Sequence, residues 1–367
     1  MATKNTFLFY DKNSRKAFVA KNVQGTYKNN PELMNELAKH NISDDSLKNG
    51  SVSVIKANKN YFQAPHQIMI ELTKKCNFKC IYCCIDCEHN VCNNDLTHEE
   101  FIRLIEDIVK LKPNIVTFTG GEPFLREVTH NDLFDAMEIL TNNGINCEIF
   151  TNGSLISRYA DRIGKLNIHN LKVSIDTVIE AEMHKINQVI DQLENVKKGI
   201  EILTKNHISF SVNAVILKHN CDNIDKLMEY LSKQSIRTLV FIRALPRGGG
   251  ERIQRNLLTN TEWEQFIDKI SGLSKEYGFD MIGTGRQSCP CCNIFNTCAM
   301  CKAGISFMLI KQNGEVYPCG FATSKNMGNV KQKNVGEIWK DAVWNECRCN
   351  GVTCITKRKD VITLKKV

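Results

Sequence analysis

The sequence predicts an α/β protein: a partial (β/α)6 barrel of the TIM type, followed by a cysteine-rich C-terminal unit and preceded by a small α+β hairpin segment. Three observations carry that expectation. Strand-length apolar runs alternate with helical periodicity six times between residues 66 and 243. The unusual residues fall at the C-terminal ends of those runs, where βα barrels keep their chemistry. Of the 17 cysteines, six lie at the start of this stretch and nine beyond its end; Cys147 and Cys221 stand alone, as small buried hydrophobes do. Six βα units fit a partial or complete barrel better than an open sheet, a choice that periodicity alone leaves open.

In chain order, Phe7–Tyr10 and Lys16–Val19 flank a polar turn and read as a hairpin. Pro31 then opens a short helix over 31–38, where its missing N–H costs nothing. Gln67–Thr73 is the first barrel strand and runs into the first cysteine block. Thr97 and Glu100 make a capping box, followed by Phe101, Ile105, Ile108 and Val109 at helical spacing. Ile115–Thr119 ends in Gly120-Gly121-Glu122-Pro123, with a helix expected over about 130–143. Asn146–Thr151 closes on Asn152-Gly153; Leu171–Asp176 is the fourth strand, with a long helix over about 188–205. Ile208–Ile216 and Thr238–Ile242 complete the set, the latter ending at Arg243. The expected units are 1–65, 66–245, a bridge over 246–285, and 286–367.

Composition excludes several classes. With 42% hydrophobic and 24% charged residues the chain is neither disordered nor unusually polar. No apolar run nears the ~18 residues of a membrane-spanning helix, and the first ten residues lack the apolar region of a secretory signal. A cytoplasmic protein with no membrane contact is expected. Thiols there stay reduced, so these cysteines point to metal or catalysis. The net charge, 48 − 40 = +8, with a basic end at Lys357, Arg358, Lys359, Lys365 and Lys366, reads as solubility, or less simply as preference for an acidic partner.

Cys76-x3-Cys80-x2-Cys83 places three thiols on one short loop. Structural zinc takes four ligands in paired knuckles, whereas three thiolates on an iron–sulfur cube leave one iron open. This loop, with Tyr82 before its last cysteine, and Gly120-Gly121-Glu122-Pro123 after the next strand resemble the radical S-adenosylmethionine enzymes. The motifs cover 67–123 and the βα pattern extends the match to about 243. The resemblance implies a [4Fe–4S] cluster on Cys76, Cys80 and Cys83, with S-adenosylmethionine on the fourth iron. One electron then gives methionine and a 5′-deoxyadenosyl radical that takes hydrogen from an unactivated C–H bond. It places Gly120, Gly121 and Glu122 at the methionine ammonium, Tyr82 by the adenine, and Ser174 and Asp176 at the ribose. Asn213 and Arg243 are either cofactor contacts or structural. Cys84, Cys87 and Cys92 exceed the motif, as spare thiols or with a redox or substrate-linking role. No catalytic acid or base is identified; His184 reads equally well as a surface residue.

Cys301-x12-Gly314-x4-Cys319 resembles the opening of the SPASM extension of that superfamily, and Phe307–Ile310 and Glu315–Tyr317 flank an Asn-Gly hairpin signal. The resemblance implies one or two auxiliary [4Fe–4S] clusters. Cys301 and Cys319 lead as ligands, then Cys298 and Cys354, with Cys347, Cys349, Cys289, Cys291 and Cys292 also available. Cys347-x-Cys349-x4-Cys354 departs from the family's C-x2-C-x5-C-x3-C, which leaves the assignment open. A zinc knuckle at Cys298-x2-Cys301 is the competing reading.

Relatives with this extension mostly modify peptides. The implied function is maturation of a ribosomally made peptide (RiPP) by a thioether or carbon–carbon crosslink. The implied partners are a peptide or protein substrate and a reductant such as flavodoxin or ferredoxin. Sulfatase-maturase-like oxidation, peptide epimerisation and a tetrapyrrole or heme pathway are the alternatives. A nucleic-acid-binding zinc protein would leave Gly-Gly-Glu-Pro unexplained. Residues 1–65 are loosely similar to winged-helix modules that bind leader peptides; a simple capping hairpin is the other reading.

Overall fold

The computed structural model describes residues 4–11, 16–24, 31–56, 61–85, 94–166, 168–246, 253–282, 303–320, 322–344 and 361–366. The N-terminal hairpin is present and larger than expected. β1 (Lys4–Asp11) pairs with β2 (Lys16–Gln24) on one side and with β3 (Val52–Lys56) on the other, Phe9 facing Phe18 and Val54. Between β2 and β3 come α1 (Pro31–Lys39) and α2 (Asp44–Lys48), the latter capped by Ser43. Phe7, Phe9, Leu33, Leu37, Ile42 and Val52 form a small core of their own.

The βα alternation follows. β4 is Gln67–Glu71, α3 His98–Leu111, β5 Ile115–Thr119, α4 Pro123–His130, α5 Leu133–Asn142 and β6 Asn146–Thr151. Then come α6 (Ile156–Lys165), β7 (Asn170–Ser174), α7 (Glu180–Asn187), α8 (Leu193–Lys205), β8 (Phe210–Ile216), α9 (Ile224–Ser232) and β9 (Ile236–Arg243). The capping box of α3 closes in both directions, and Phe101, Leu104, Ile105 and Ile108 bury its apolar face. Two helices differ from expectation. The helix expected over about 130–143 is α5, and a further helix, α4, precedes it and ends where Asn131 takes the left-handed conformation (φ 52°). The helix over 188–205 begins at Leu193, since Gln188 and Asp191 are left-handed (φ 53° and 55°) and turn the chain after α7.

β4 to β9 are parallel and lie in sequence order. They form a partial barrel, because β4 and β9 do not meet. Instead the C-terminal part of the chain continues the sheet at both edges. β11 (Phe307–Ile310) pairs parallel to β4 and leads to β12 (Glu315–Tyr317) and β13 (Gly328–Asn329). At the other edge β14 (Val361–Lys366) runs antiparallel to β9, and β10 (Phe279–Ile282), which follows α10 (Asn260–Glu276), lies beyond it. The expected division at 246–285 therefore separates segments that share one sheet.

Period-two alternation on the strands sends apolar side chains to the helices and polar ones into the barrel. Ile68, Ile70, Val116, Phe118, Cys147, Ile149, Leu171 and Val173 are buried against the helices. On the opposite face Gln67 donates to Thr117 (2.9 Å), Thr117 to Glu148 (3.1 Å), and Lys172 pairs with Glu148 (3.2 Å). The N-terminal sheet covers the N-terminal ends of these strands. Tyr10 shares a hydrogen bond with His169 Nε2 (3.2 Å) just before β7 and sets its ring edge-on to His66 just before β4. Trp339, on α11 (Val335–Lys340), donates to the carbonyl of Phe62 (2.8 Å) and so ties the C-terminal extension to the same end. The opposite end, at the strand C-termini, is left for the site.

Candidate functional site

The loop after β4 carries Cys76, Cys80 and Cys83, all half-buried. It is held on two sides. The backbone N–H groups of Lys79 and Ile81 donate to the carbonyls of Asn187 and Ile186 at the end of α7, both at 2.9 Å. On the other side Gly121 N–H donates to Thr73 O (2.7 Å) and Glu122 N–H to Lys75 O (2.8 Å). The two glycines are there because the chains lie this close. A Cβ on Gly121 would fall 1.9 Å from the carbonyl oxygen of Lys75, and one on Gly120, at φ +127°, 2.6 Å from that of Thr73.

Donors surround the sulfurs. The N–H of Phe78 lies 3.4 Å from Cys76 Sγ, Asn152 Nδ2 3.9 Å from the same atom, and Asn187 Nδ2 3.1 Å from Cys80 Sγ. Burial pushes the Cys80 thiol well up while it carries a proton, with the nearby Asp176 charge adding to it. Among the described residues no group of His, Cys, Asp and Glu side chains converges on one metal-ion position. A cubane asks for something different, thiolates at separate iron corners, and three of them leave its fourth iron open. Three thiols on one loop, with N–H groups directed at two of them, are a donor set that fits it.

Glu122 is fully buried. Oε1 accepts from Phe124 N–H (3.1 Å) and Thr151 Oγ1 (2.8 Å), and Oε2 accepts from Asn152 N–H (2.8 Å). Burial outweighs these donors and raises its pKa to about 7. Its carboxylate ties the end of β5 to the end of β6.

Asp176, just past β7, is buried. Oδ2 accepts from the Tyr82 hydroxyl (2.6 Å) and Asn187 Nδ2 (3.0 Å), and Oδ1 from Val215 N–H (2.8 Å). Burial raises its pKa against the pull of these donors, and burial with the Asp176 charge raises that of Tyr82. Ser174, Asp176, Tyr82, Cys80, Phe78 and Asn187 line one small cavity. The structure thus brings Tyr82, Ser174 and Asp176 to the cysteine loop. Asn213 pairs with Ser174 across β7 and β8 and accepts Ile175 N–H on its carbonyl (3.0 Å). Arg243 turns to α10 instead, donating to Leu258 O (2.5 Å) and Asn260 Oδ1 (3.0 Å).

Two residues of the site carry no motif signal. Asn187 sits between Cys80 and Asp176. Glu71, at the end of β4, is buried; burial raises its pKa, with Lys311 and Lys74 opposing and the Cys83 thiol adding to it. Cys319 is half-buried beyond β12, and the turn between β11 and β12 closes on Gly314 (φ +85°). Cys84 is exposed, and so is His184 on α7. Cys221 is half-buried rather than buried. Cys87, Cys92, Cys289, Cys291, Cys292, Cys298, Cys301, Cys347, Cys349 and Cys354 lie outside the described residues.

A second feature lies at the other end of the barrel. β3 is an edge strand of its sheet and pairs with no described strand on its outer side. It borders a cleft of about 610 Å³ that Lys56, Lys110, Lys112 and Lys340 rim. Lys110 pairs with Asp107 (3.1 Å); the other three meet no described carboxylate.

Residues 70–231 match the family model of the radical SAM superfamily, and residues 301–361 that of the SPASM iron–sulfur cluster-binding domain. An AdoMet-dependent heme synthase of Oleidesulfovibrio alaskensis is 26% identical over 294 residues, 74% of this chain and 73% of the relative. Streptococcus suis SuiB, solved with its precursor peptide SuiA, superposes with a TM-score of 0.65 at 16% identity, over 90% of this chain and 75% of that one. The structure of anSMEcpe with AdoMet and the Cp18Cys peptide gives 0.55 at 19% identity, over 76% and 81%. At these identities the two structures speak to the fold.

Proposed function

Because the chain belongs to the radical S-adenosylmethionine superfamily and carries its SPASM iron–sulfur extension, we propose that it modifies a ribosomally made peptide. Its cofactors are an iron–sulfur cluster and S-adenosylmethionine, which together supply a 5′-deoxyadenosyl radical. Cys76, Cys80 and Cys83 hold the cluster. Asp176 and Ser174 face the ribose, Tyr82 the adenine, and the backbone of 120–122 the methionine ammonium. Cys319, with cysteines of 289–301 and 347–354, holds the auxiliary iron–sulfur site, and the bond formed in the peptide is a thioether or carbon–carbon crosslink.

One observation carries the peptide reading: the edge of β3 that pairs with no described strand, beside a lysine-rimmed cleft. An extended peptide adds to such an edge through main-chain hydrogen bonds. Lys56, Lys112 and Lys340 there select an acidic segment. The test uses the reconstituted enzyme, a chemical reductant and small peptides encoded beside its gene. The expected result is 5′-deoxyadenosine formation with a matching loss of hydrogen mass from one peptide, abolished when the three lysines are changed to Glu. Turnover of an iron porphyrin and of no peptide overturns the reading.

A second reading has its own support, since a relative similar over most of its length is a heme synthase. That same porphyrin assay decides for it.

A further inference from the structure

We propose that Asn187 is a positioning residue that sets the reduction potential of the cluster through Cys80 and links that potential to Asp176. This goes beyond the choice of substrate and rests only on a cluster held by Cys80. The side-chain amide of Asn187 has two N–H groups, and both are engaged. One reaches Cys80 Sγ at 3.1 Å, the other Asp176 Oδ2 at 3.0 Å. The residue is 5% exposed, so neither bond competes with bulk water.

Its orientation follows from its acceptors. Turning the amide over would aim its oxygen at a sulfur and a carboxylate, both electron-rich, and only the donor face satisfies them. The backbone fixes its place as well. Its own carbonyl accepts Lys79 N–H, and the neighbouring Ile186 carbonyl accepts Ile81 N–H, so backbone hydrogen bonds join the last turn of α7 to the cysteine loop.

A hydrogen bond to a cluster sulfur stabilises the reduced, more negative state, and such bonds are among the levers that set cluster potentials. Asn187 applies this lever at one of the three loop thiols. The second N–H makes the lever sensitive to the cofactor side. Asp176 Oδ2, which orients the amide, also accepts the Tyr82 hydroxyl at 2.6 Å, and a ligand that recruits that carboxylate changes its hold on Asn187.

The experiment is a redox titration of the reconstituted protein, followed by electron paramagnetic resonance. The signal that responds to added S-adenosylmethionine is assigned to this cluster. Asn187→Leu keeps the volume and removes both donors; Asn187→Asp keeps the shape and replaces the donor with a negative charge. Both are expected to lower the ratio of reduced to oxidised cluster about tenfold at a fixed potential, 59 mV for a one-electron couple. Asp176→Asn removes a negative charge beside the amide and is expected to move the ratio the other way. Iron content checks that each variant carries its cluster, and if Asn187→Leu does not load, Asn187→Asp and Asp176→Asn decide. A ratio within about twofold of wild type for the loaded Asn187 variants overturns the proposal. So does a shift of the Asn187 and Asp176 variants in the same direction, which is what simple loosening of the loop would produce.

Discussion

Replacing Gly121 by alanine adds one methyl group and, on this geometry, unseats the cysteine loop. The new Cβ would lie 1.9 Å from Lys75 O and 2.5 Å from Lys75 C, both backbone atoms. Ordinary contact needs roughly 3.5 Å or more, so Lys75 and the strand end must part by more than ~1 Å. That breaks the bonds from Gly121 N–H to Thr73 O and from Glu122 N–H to Lys75 O. Each is worth about 1 kcal/mol net, and each leaves a polar group that costs about 1–3 kcal/mol if it stays buried and unpaired. The sum is about 4–8 kcal/mol if both groups stay unpaired, placed immediately before Cys76. Gly272 is the matched control. It lies inside α10, and a Cβ added there would meet nothing within 4 Å, so Gly272→Ala should stabilise by about 0.5–1 kcal/mol. Chemical denaturation and iron counting after reconstitution read both effects. Gly121→Ala is expected to lose stability and cluster occupancy together, and Gly272→Ala to lose neither. A Gly121→Ala protein that unfolds at the wild-type midpoint with full iron would refute the packing argument.

Glu122 gives a pH signature. Its pKa is raised from 4.5 to about 7 in the folded protein, so the fold holds an extra proton in that window. Its contribution is therefore fully present below about pH 4.5 and is lost as pH rises towards 7, by about 3 kcal/mol at most. Denaturation midpoints of wild type and Glu122→Gln, measured from about pH 5 to 7.5 without S-adenosylmethionine, should diverge in slope; parallel curves would rule the effect out. Arg126 and Asp132 form a fully buried pair at 2.7 Å, and Arg126 also donates to Leu96 O (3.1 Å). Arg126→Met should cost about 3–5 kcal/mol by stranding Asp132, with much of it recovered in the double variant Arg126→Met/Asp132→Leu. A single variant within about 1 kcal/mol of wild type would show that Asp132 finds other partners.

Much of this arrangement was legible in the sequence, and the illegible parts share a cause. Ile115–Thr119 and Asn146–Thr151 read correctly because strand runs bounded by Gly and Asn are local signals. The Thr97–Glu100 box is local too. The cysteine loop and the glycine pair that seats it are short motifs, and three of the expected contact residues, Tyr82, Ser174 and Asp176, do gather beside them. Asn187 was invisible because its role depends on two acceptors contributed by other elements of the fold. Arg243 ends its strand as expected, but only the position of α10 decides where its guanidinium goes. The sheet partners of β4 and β9 were hidden for the same reason: an edge pairing leaves no periodicity in either strand.

Those two pairings bear on how the protein comes into being. The strands that complete both margins of the barrel sheet, β11 and β14, are encoded in its last quarter. While the chain is being synthesised, the margins at β4 and β9 are unprotected backbone, open to association with other chains. A ribosome pause or a truncation before β14 would then leave a nearly finished enzyme with one sticky margin, a hazard for quality control rather than for chemistry.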